Sequence, residues 1–163
     1  MRRKDREVTD GQRIRDIIQS CSCCRLGLSD GGDVYIVPLS FGYEEADGAR
    51  VFYFHSAPEG RKIELLTQHP HAAFELDTGG ETVTAPTACG WTARYRSVIG
   101  TGDVSFITDT GRKRHALDCI MNHYARLLQH DTHNRPWQYQ DEMLNQVCVF
   151  MLRVAELSCK EHR

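Results

Sequence analysis

The sequence predicts a mainly β domain, a small antiparallel barrel with a few helices packed on it. Three observations lead there. Stretches of strand-like residues such as "RVFYFHSA" (50–57) recur along the chain. Most are joined by short turns rather than by crossover helices, so neighbours should run antiparallel. Amphipathic helical patterns are confined to 9–21, 60–70 and 110–129, and closing the sheet into a barrel would leave few open edges.

The elements follow in order. In 9–21, Thr9 and Gln12 have capping-box spacing, and Ile14, Ile17, Ile18 and Cys21 form one apolar face. "CRLGLS" (24–29) is a short strand, "DGGD" a hairpin turn, and "VYIVPLSFGYE" (34–44) a returning strand. Pro38 cannot donate to a ladder, so it should mark an edge or a bulge. The strand 50–57 follows a turn, and the helix 60–70 ends at Pro70. "HAAFELDT" (71–78) is a strand and the polar 79–90 a loop. The strand 92–108 is long, with a bend or bulge expected at Gly100 and Gly102. The longest helix, 110–129, should bury Ala116, Leu117, Ile120, Met121, Tyr124, Leu127 and Leu128. A linker ending in a short helix (130–143) leads to the last strand, 147–157.

A chain of 163 residues with 40% hydrophobic and 26% charged residues suits one soluble domain, 1–163, with 1–8 as a flexible, solvated arm. A formal net charge of −2 offers no field for nucleic acid. No apolar run spans a membrane and the start lacks a signal-peptide core, so a cytoplasmic protein is expected. Seven cysteines, an odd number, fit reduced thiols in that compartment.

"CSCC" (21–24) invites a metal reading, because Cys21 and Cys24 have C-x2-C spacing. No second pair completes it. His130 and His133 lie in the polar linker, and Cys119 and Cys148 stand far apart in sequence. The expectation is no metal, with the cysteines as small buried residues at a helix-to-strand corner. A Ser/His/Asp or Cys/His catalytic set has no motif behind it.

The corner "YFHSAPEGRKIELL" (53–66) allows two readings. Ser56 and Glu59 have capping-box spacing, with Arg61 and Lys62 simply exposed. Alternatively, Gly60, the helix N-terminus, one forked cation and one point charge would suit a phosphate dianion. In "ARYRSVIGTG" (93–102), Arg96 and Ser97 offer further polar contacts, or merely a charged strand face.

Together, "RLGLSDGGDVYIVPLSFGYE", "FYFHSAPEGRKIELL", "YRSVIGTGDV" and "LSCKEHR" resemble the flavin-binding split-barrel family. The resemblance points to the branch related to pyridoxamine 5′-phosphate oxidase that includes 5-nitroimidazole-resistance proteins. It covers about residues 9–162. It implies a six-stranded antiparallel split barrel and a homodimer with FMN at the interface, FAD being the substitute. It also implies residue roles. Val37, Pro38 and Leu39 face the isoalloxazine ring through their backbone. Phe54, His55 and Ser56 lie beside the ring and ribityl chain. Arg61 and Lys62 clamp the phosphate, and Arg96, Ser97 and Val98 form the second flavin-contacting strand. Trp137 reaches across the dimer, on the weakest motif match.

The chain departs from the oxidases themselves. It lacks their terminal R-x-x-R-L-x-P motif, which argues against vitamin B6 oxidation. Cys159 stands where relatives tend to have glycine, and the last turn should differ there. No G-x-G-x-x-G fingerprint is present, so NAD(P)H would dock only transiently as a donor. The expected function is an FMN-dependent reductase of small flat acceptors such as nitroaromatics, with His55 either a proton donor near its ordinary pKa of about 6.5 or a neutral packing or hydrogen-bonding residue. The alternatives are a non-catalytic flavin carrier or sensor, or the same fold holding haem or a deazaflavin.

Overall fold

The computed structural model describes residues 3–130 and 137–163, so His133 and part of the linker lie outside the described residues. Seven strands form one sheet: β1 (Cys24–Asp30), β2 (Asp33–Leu39), β3 (Gly42–Ala46), β4 (Ala49–Ser56), β5 (His71–Val83), β6 (Thr92–Ile107) and β7 (Cys148–His162). Their order is β2-β1-β5-β6-β7-β4-β3, and every neighbouring pair is antiparallel. Helices α1 (Gly11–Ser20), α2 (Arg61–Gln68), α3 (Thr110–Leu127) and α4 (Asp141–Gln146) complete the domain.

The expected mainly β, antiparallel split-barrel class is what the chain adopts, with seven strands in place of six. The extra strand arises because 34–44 is not continuous. It breaks at Ser40 and Phe41 into β2 and β3, which lie at opposite edges of the sheet. A flat seven-stranded sheet is roughly 29 Å wide. The path from Leu39 to Gly42 covers at most about 11 Å. The sheet must therefore curl until its edges nearly meet, which makes a barrel split between β2 and β3.

Two cores result. The inner one holds Phe41, Phe52, Phe54, Phe74 and Phe150, with Phe52 and Phe74 at 5.0 Å and Phe54 and Phe150 stacked at 5.2 Å. Ile14, Ile17 and Ile18 enter it from α1, and Leu65 and Leu66 from α2. The outer core lies between the sheet and α3, where Val51, Tyr53, Ile107 and Val149 meet Ala116 and Ile120. Residues 51–54 are all buried for this reason: odd positions face α3 and even ones the barrel interior.

Several local expectations change. Asp10, not Thr9, caps α1, accepting from the Arg13 amide at 2.7 Å. Ser56 does not cap α2, because it is still paired with Cys148 across β4 and β7; Gly60 takes the cap position at φ 115°. Residues 79–83 extend β5 past a bulge at Gly79/Glu81 instead of forming a loop. β7 runs on to His162 and places Cys159 opposite Val98 in mid-strand, where no turn exists. Of the stripe expected on α3, Leu128 is 77% exposed, whereas His123 is buried. The arm is not free over residues 3–8. β7 outruns β4, and Glu7 bridges Lys160 while the Val8 amide donates to the Cys159 carbonyl at 3.0 Å. Pro38 does lie on an edge strand, and the β6 bulge falls at Thr101/Gly102. No described helix is long and apolar enough to cross a membrane.

Two positions test this packing. A Cβ on Gly42 would sit 2.6 Å from the backbone of Cys119 and Ile120, so α3 can press onto β3 only because position 42 has no side chain. Gly42→Ala should cost about 1–3 kcal/mol in urea unfolding. His123, 3% exposed, donates from Nε2 to the Cys21 carbonyl at 2.8 Å, and burial holds its pKa below the usual histidine value. A depressed folded pKa contributes stability above the unfolded value of about 6.5, and that stability is lost as pH falls through the folded value. Unfolding free energy should drop below about pH 6.5, and His123→Gln, which keeps a donor but does not titrate, should flatten that drop.

Candidate functional site

The aromatic strand β4 delivers Phe54, His55 and Ser56 to one end of the barrel, and α2 begins five residues later. Phe54 is fully buried in the inner core, so only its backbone is available to a ligand. Gly60 caps α2 in a left-handed conformation that disfavours any Cβ, and an added Cβ there would meet nothing within 4 Å. The first helical bonds run from the Ile63 and Glu64 amides to the Gly60 carbonyl, at 2.9 and 3.2 Å. The preceding amides point out of the helix start, where its dipole is positive.

Both cations belong to this end. Arg61 pairs with Asp30 at the end of β1, and its guanidinium lies 5.0 Å over the Tyr35 ring. Lys62 is half-buried. Burial raises the Cys148 thiol pKa, and Lys113, the Ser56 hydroxyl and Lys62 pull it back.

His55 borders a largely apolar cavity of about 470 Å³. Leu117, Ile120 and Met121 of α3 and Met143 and Leu144 of α4 form much of its wall. Desolvation there lowers the His55 pKa below the ordinary histidine value, although the ring keeps solvent access. Desolvation thus favours the neutral imidazole, the hydrogen-bonding alternative to a proton donor. In that form it can donate a hydrogen bond from its N–H, but it is a poor reservoir of protons. Trp137 lies against its own α3, with Nε1 donating to Asn122 at 2.8 Å.

The remaining residues lie across β2, β1, β5 and β6. Pro38, Arg25, Glu75 and Ile99 form one rung across β2, β1, β5 and β6. Val37, Leu39, Arg96, Ser97 and Val98 flank that rung, with Val98 fully buried. His55 pairs with Val149, which pairs with Ile107, eleven residues along β6 from Arg96. That is roughly 35 Å of extended strand. Within one chain, Arg96, Ser97 and Val98 do not meet Arg61, whereas Val37 stands two residues along β2 from the Tyr35 ring that Arg61 covers.

In the "CSCC" stretch the first and last cysteines belong to the inner core. Cys21 ends α1 and Cys24 begins β1, both fully buried, and burial pushes the Cys21 thiol up to about 12. Sequence reasoning missed the cavity wall from α3 and α4. It also missed a contact of Glu44 with His115 and Cys119, for which the i,i+4 spacing of the last two was the visible signal.

A sequence profile described as pyridoxamine 5′-phosphate oxidase matches residues 10–161, nearly the whole chain. The chain belongs to the pyridoxamine 5′-phosphate oxidase family. Within that family, it is 35% identical to a candidate 5-nitroimidazole antibiotic resistance protein from Bacteroides thetaiotaomicron, covering 94% of this chain and 85% of that one, with a TM-score of 0.78. A flavocytochrome from Azotobacter vinelandii shares the fold at 21% identity, with coverage of 100% and 72% and a TM-score of 0.77. An FAD and haem binding protein from Mycobacterium smegmatis shares it at 19% identity, with coverage of 97% and 74% and a TM-score of 0.79. No curated protein matches the sequence significantly.

The state of His55 is directly measurable. An NMR titration should give a His55 midpoint below about 6.5. A midpoint at or above that value would return the ring to the ordinary mixed state.

Proposed function

We propose that this family member is an FMN-dependent reductase of small flat acceptors, nitroaromatics among them, working as a homodimer. One observation carries the reading. The end of β4 joins a glycine-capped helix start with two adjacent cations to a histidine that borders an apolar cavity of about 470 Å³. The 35% identical relative described in terms of 5-nitroimidazole resistance supports the choice of acceptor.

The donor set fits a phosphate monoester. Arg61 supplies a forked donor, Lys62 a point charge, and the start of α2 free amides. That is enough for one phosphate, which favours FMN over FAD. The backbone of Val37, Pro38 and Leu39 and that of Phe54 would flank the ring. Ser56 would meet the ribityl chain. Bound FMN supplies the electron-transfer chemistry, so the chain needs no nucleophile of its own. The cavity wall of Leu117, Ile120 and Met121 excludes water beside His55, and the neutral imidazole orients an acceptor through its N–H. NAD(P)H would serve as a transient donor.

The dimer completes the site in this reading. Arg96, Ser97 and Val98 lie far from Arg61 in one chain, so a second copy has to bring them to it. The outer face of β2 and β6 is apolar enough to be covered: Val34 is 70%, Ile36 64% and Ile99 52% exposed. Trp137, which bonds to Asn122 of its own α3, would reach across that dimer.

The experiment compares FMN with riboflavin, which lacks the phosphate. Arg61→Ala/Lys62→Ala should raise the FMN Kd at least about tenfold, since one charged hydrogen bond contributes about 1.5–3 kcal/mol, and leave riboflavin binding unchanged. Unaltered FMN affinity would remove the clamp. In the same preparation, NAD(P)H consumption that depends on a nitroaromatic or quinone identifies a reductase. Flavin binding without turnover identifies a carrier, and a Soret band identifies haem.

A further inference from the structure

A side chain of β3 meets two of α3, some seventy residues later in the chain, where the helix crosses the strand. His115 Nε2 lies 3.0 and 2.9 Å from the two carboxylate oxygens of Glu44. Cys119 Sγ lies 3.7 Å from Glu44 Oε2 and 3.7 Å from His115 Nε2. We propose that Glu44, His115 and Cys119 form a binding site for one zinc ion, with a fourth position open to water.

The separations are close to those that a tetrahedral ion requires. Bonds of about 2.0–2.1 Å to nitrogen and oxygen and about 2.3 Å to sulfur put N and O roughly 3.4 Å apart, and S roughly 3.5 Å from each. The ligand atoms here stand 2.9, 3.7 and 3.7 Å apart, so small side-chain rotations admit the ion without moving the backbone. One sulfur, one imidazole nitrogen and one carboxylate form a borderline-soft set. It suits zinc and does not suit magnesium or calcium, which take oxygen ligands.

The surroundings hold the ligands in place. His115 and Cys119 are four residues apart and share one face of α3. The Tyr53 hydroxyl donates to Glu44 Oε1, which fixes the carboxylate and leaves Oε2 toward the other two ligands. The Tyr53 ring meets the His115 ring edge-on at 90°, with centroids 5.8 Å apart. The His115 side chain is 56% exposed, which gives the ion and a fourth, aqueous ligand a route from solvent. On binding, the Cys119 thiol releases its proton to solvent, and the imidazole binds through Nε2 with its proton on Nδ1. None of these residues is used in the proposed flavin site, so either reading can fail without the other.

The test titrates tag-free, chelator-treated protein with zinc chloride by calorimetry. One equivalent per chain is expected. X-ray absorption at the zinc edge should show one sulfur at about 2.3 Å and nitrogen or oxygen neighbours at about 2.0–2.1 Å. Cys119→Ser and His115→Gln should each weaken zinc binding by about a hundredfold or more. Tyr53→Phe, which keeps the ring but loses the bond to Glu44, should weaken it about tenfold. Metal-free melting temperatures establish that the variants are folded. His115→Gln still donates to Glu44 and so carries the test if Cys119→Ser unfolds. Zinc bound without sulfur, affinity unmoved by these variants, or no binding at equimolar zinc would each overturn the site. The triad would then be a hydrogen-bonded clasp between α3 and β3.

Discussion

Ser40 and Phe41 carry the chain from one edge of a seven-stranded sheet to the other. That link is too short for a flat sheet, so it sets the curvature on which the rest depends. Curling brings Phe52, Phe54, Phe74 and Phe150 into one interior, with Phe41 of the link itself against Phe52 at 5.7 Å. The closed shape leaves two ends. α1 leads into the start of β1 and fills one. α2 sits between the end of β4 and the start of β5 and fills the other. A helix placed as an end plug has its N-terminus at the rim, beside the last residues of β4. The free amides and the positive end of the helix dipole at the rim follow from this placement.

Features set by neighbours in sequence were legible. The helix faces of Ile14, Ile17 and Ile18, the β6 bulge at Thr101/Gly102 and the edge position of Pro38 all follow from local periodicity or from a missing donor. Features set by distant partners were not. The break at Ser40 and Phe41 reads as continuous strand, because each half has strand composition and only closure requires the gap. Gly79 and Gly80 read as a loop, yet pairing with the first residues of β6 keeps the chain extended through them. Ser56 has cap spacing, but its pairing with Cys148 holds it in the strand. α3 carries apolar residues on more than one face. Its burial was misread because it packs on the sheet with one face and borders a cavity with another.

The candidate site shows the same division. The segment 53–62 could be read from sequence because one strand, one turn and one helix start hold it together. Its protonation could not. The His55 pKa depends on desolvation beside α3 and α4, more than sixty residues later in the chain. The expected site residues also fall into two groups at different heights of the barrel. No reading of one chain's pattern gives the rotation that would join them.

α3 ties these parts together through simple geometry. Successive residues of a helix are about 100° apart, so pairs at i and i+4 define a face. Ala116 and Ile120 pack on the sheet, Leu117 and Met121 border the His55 cavity, and His115 and Cys119 meet Glu44. Three consecutive starting positions thus give three faces with three different neighbours. The helix is pressed onto β3 at Gly42, where even a methyl group would collide with its backbone. It therefore has little freedom to slide or rotate. A displacement of α3 at Glu44 would move the cavity wall beside His55, because the same rigid helix forms both.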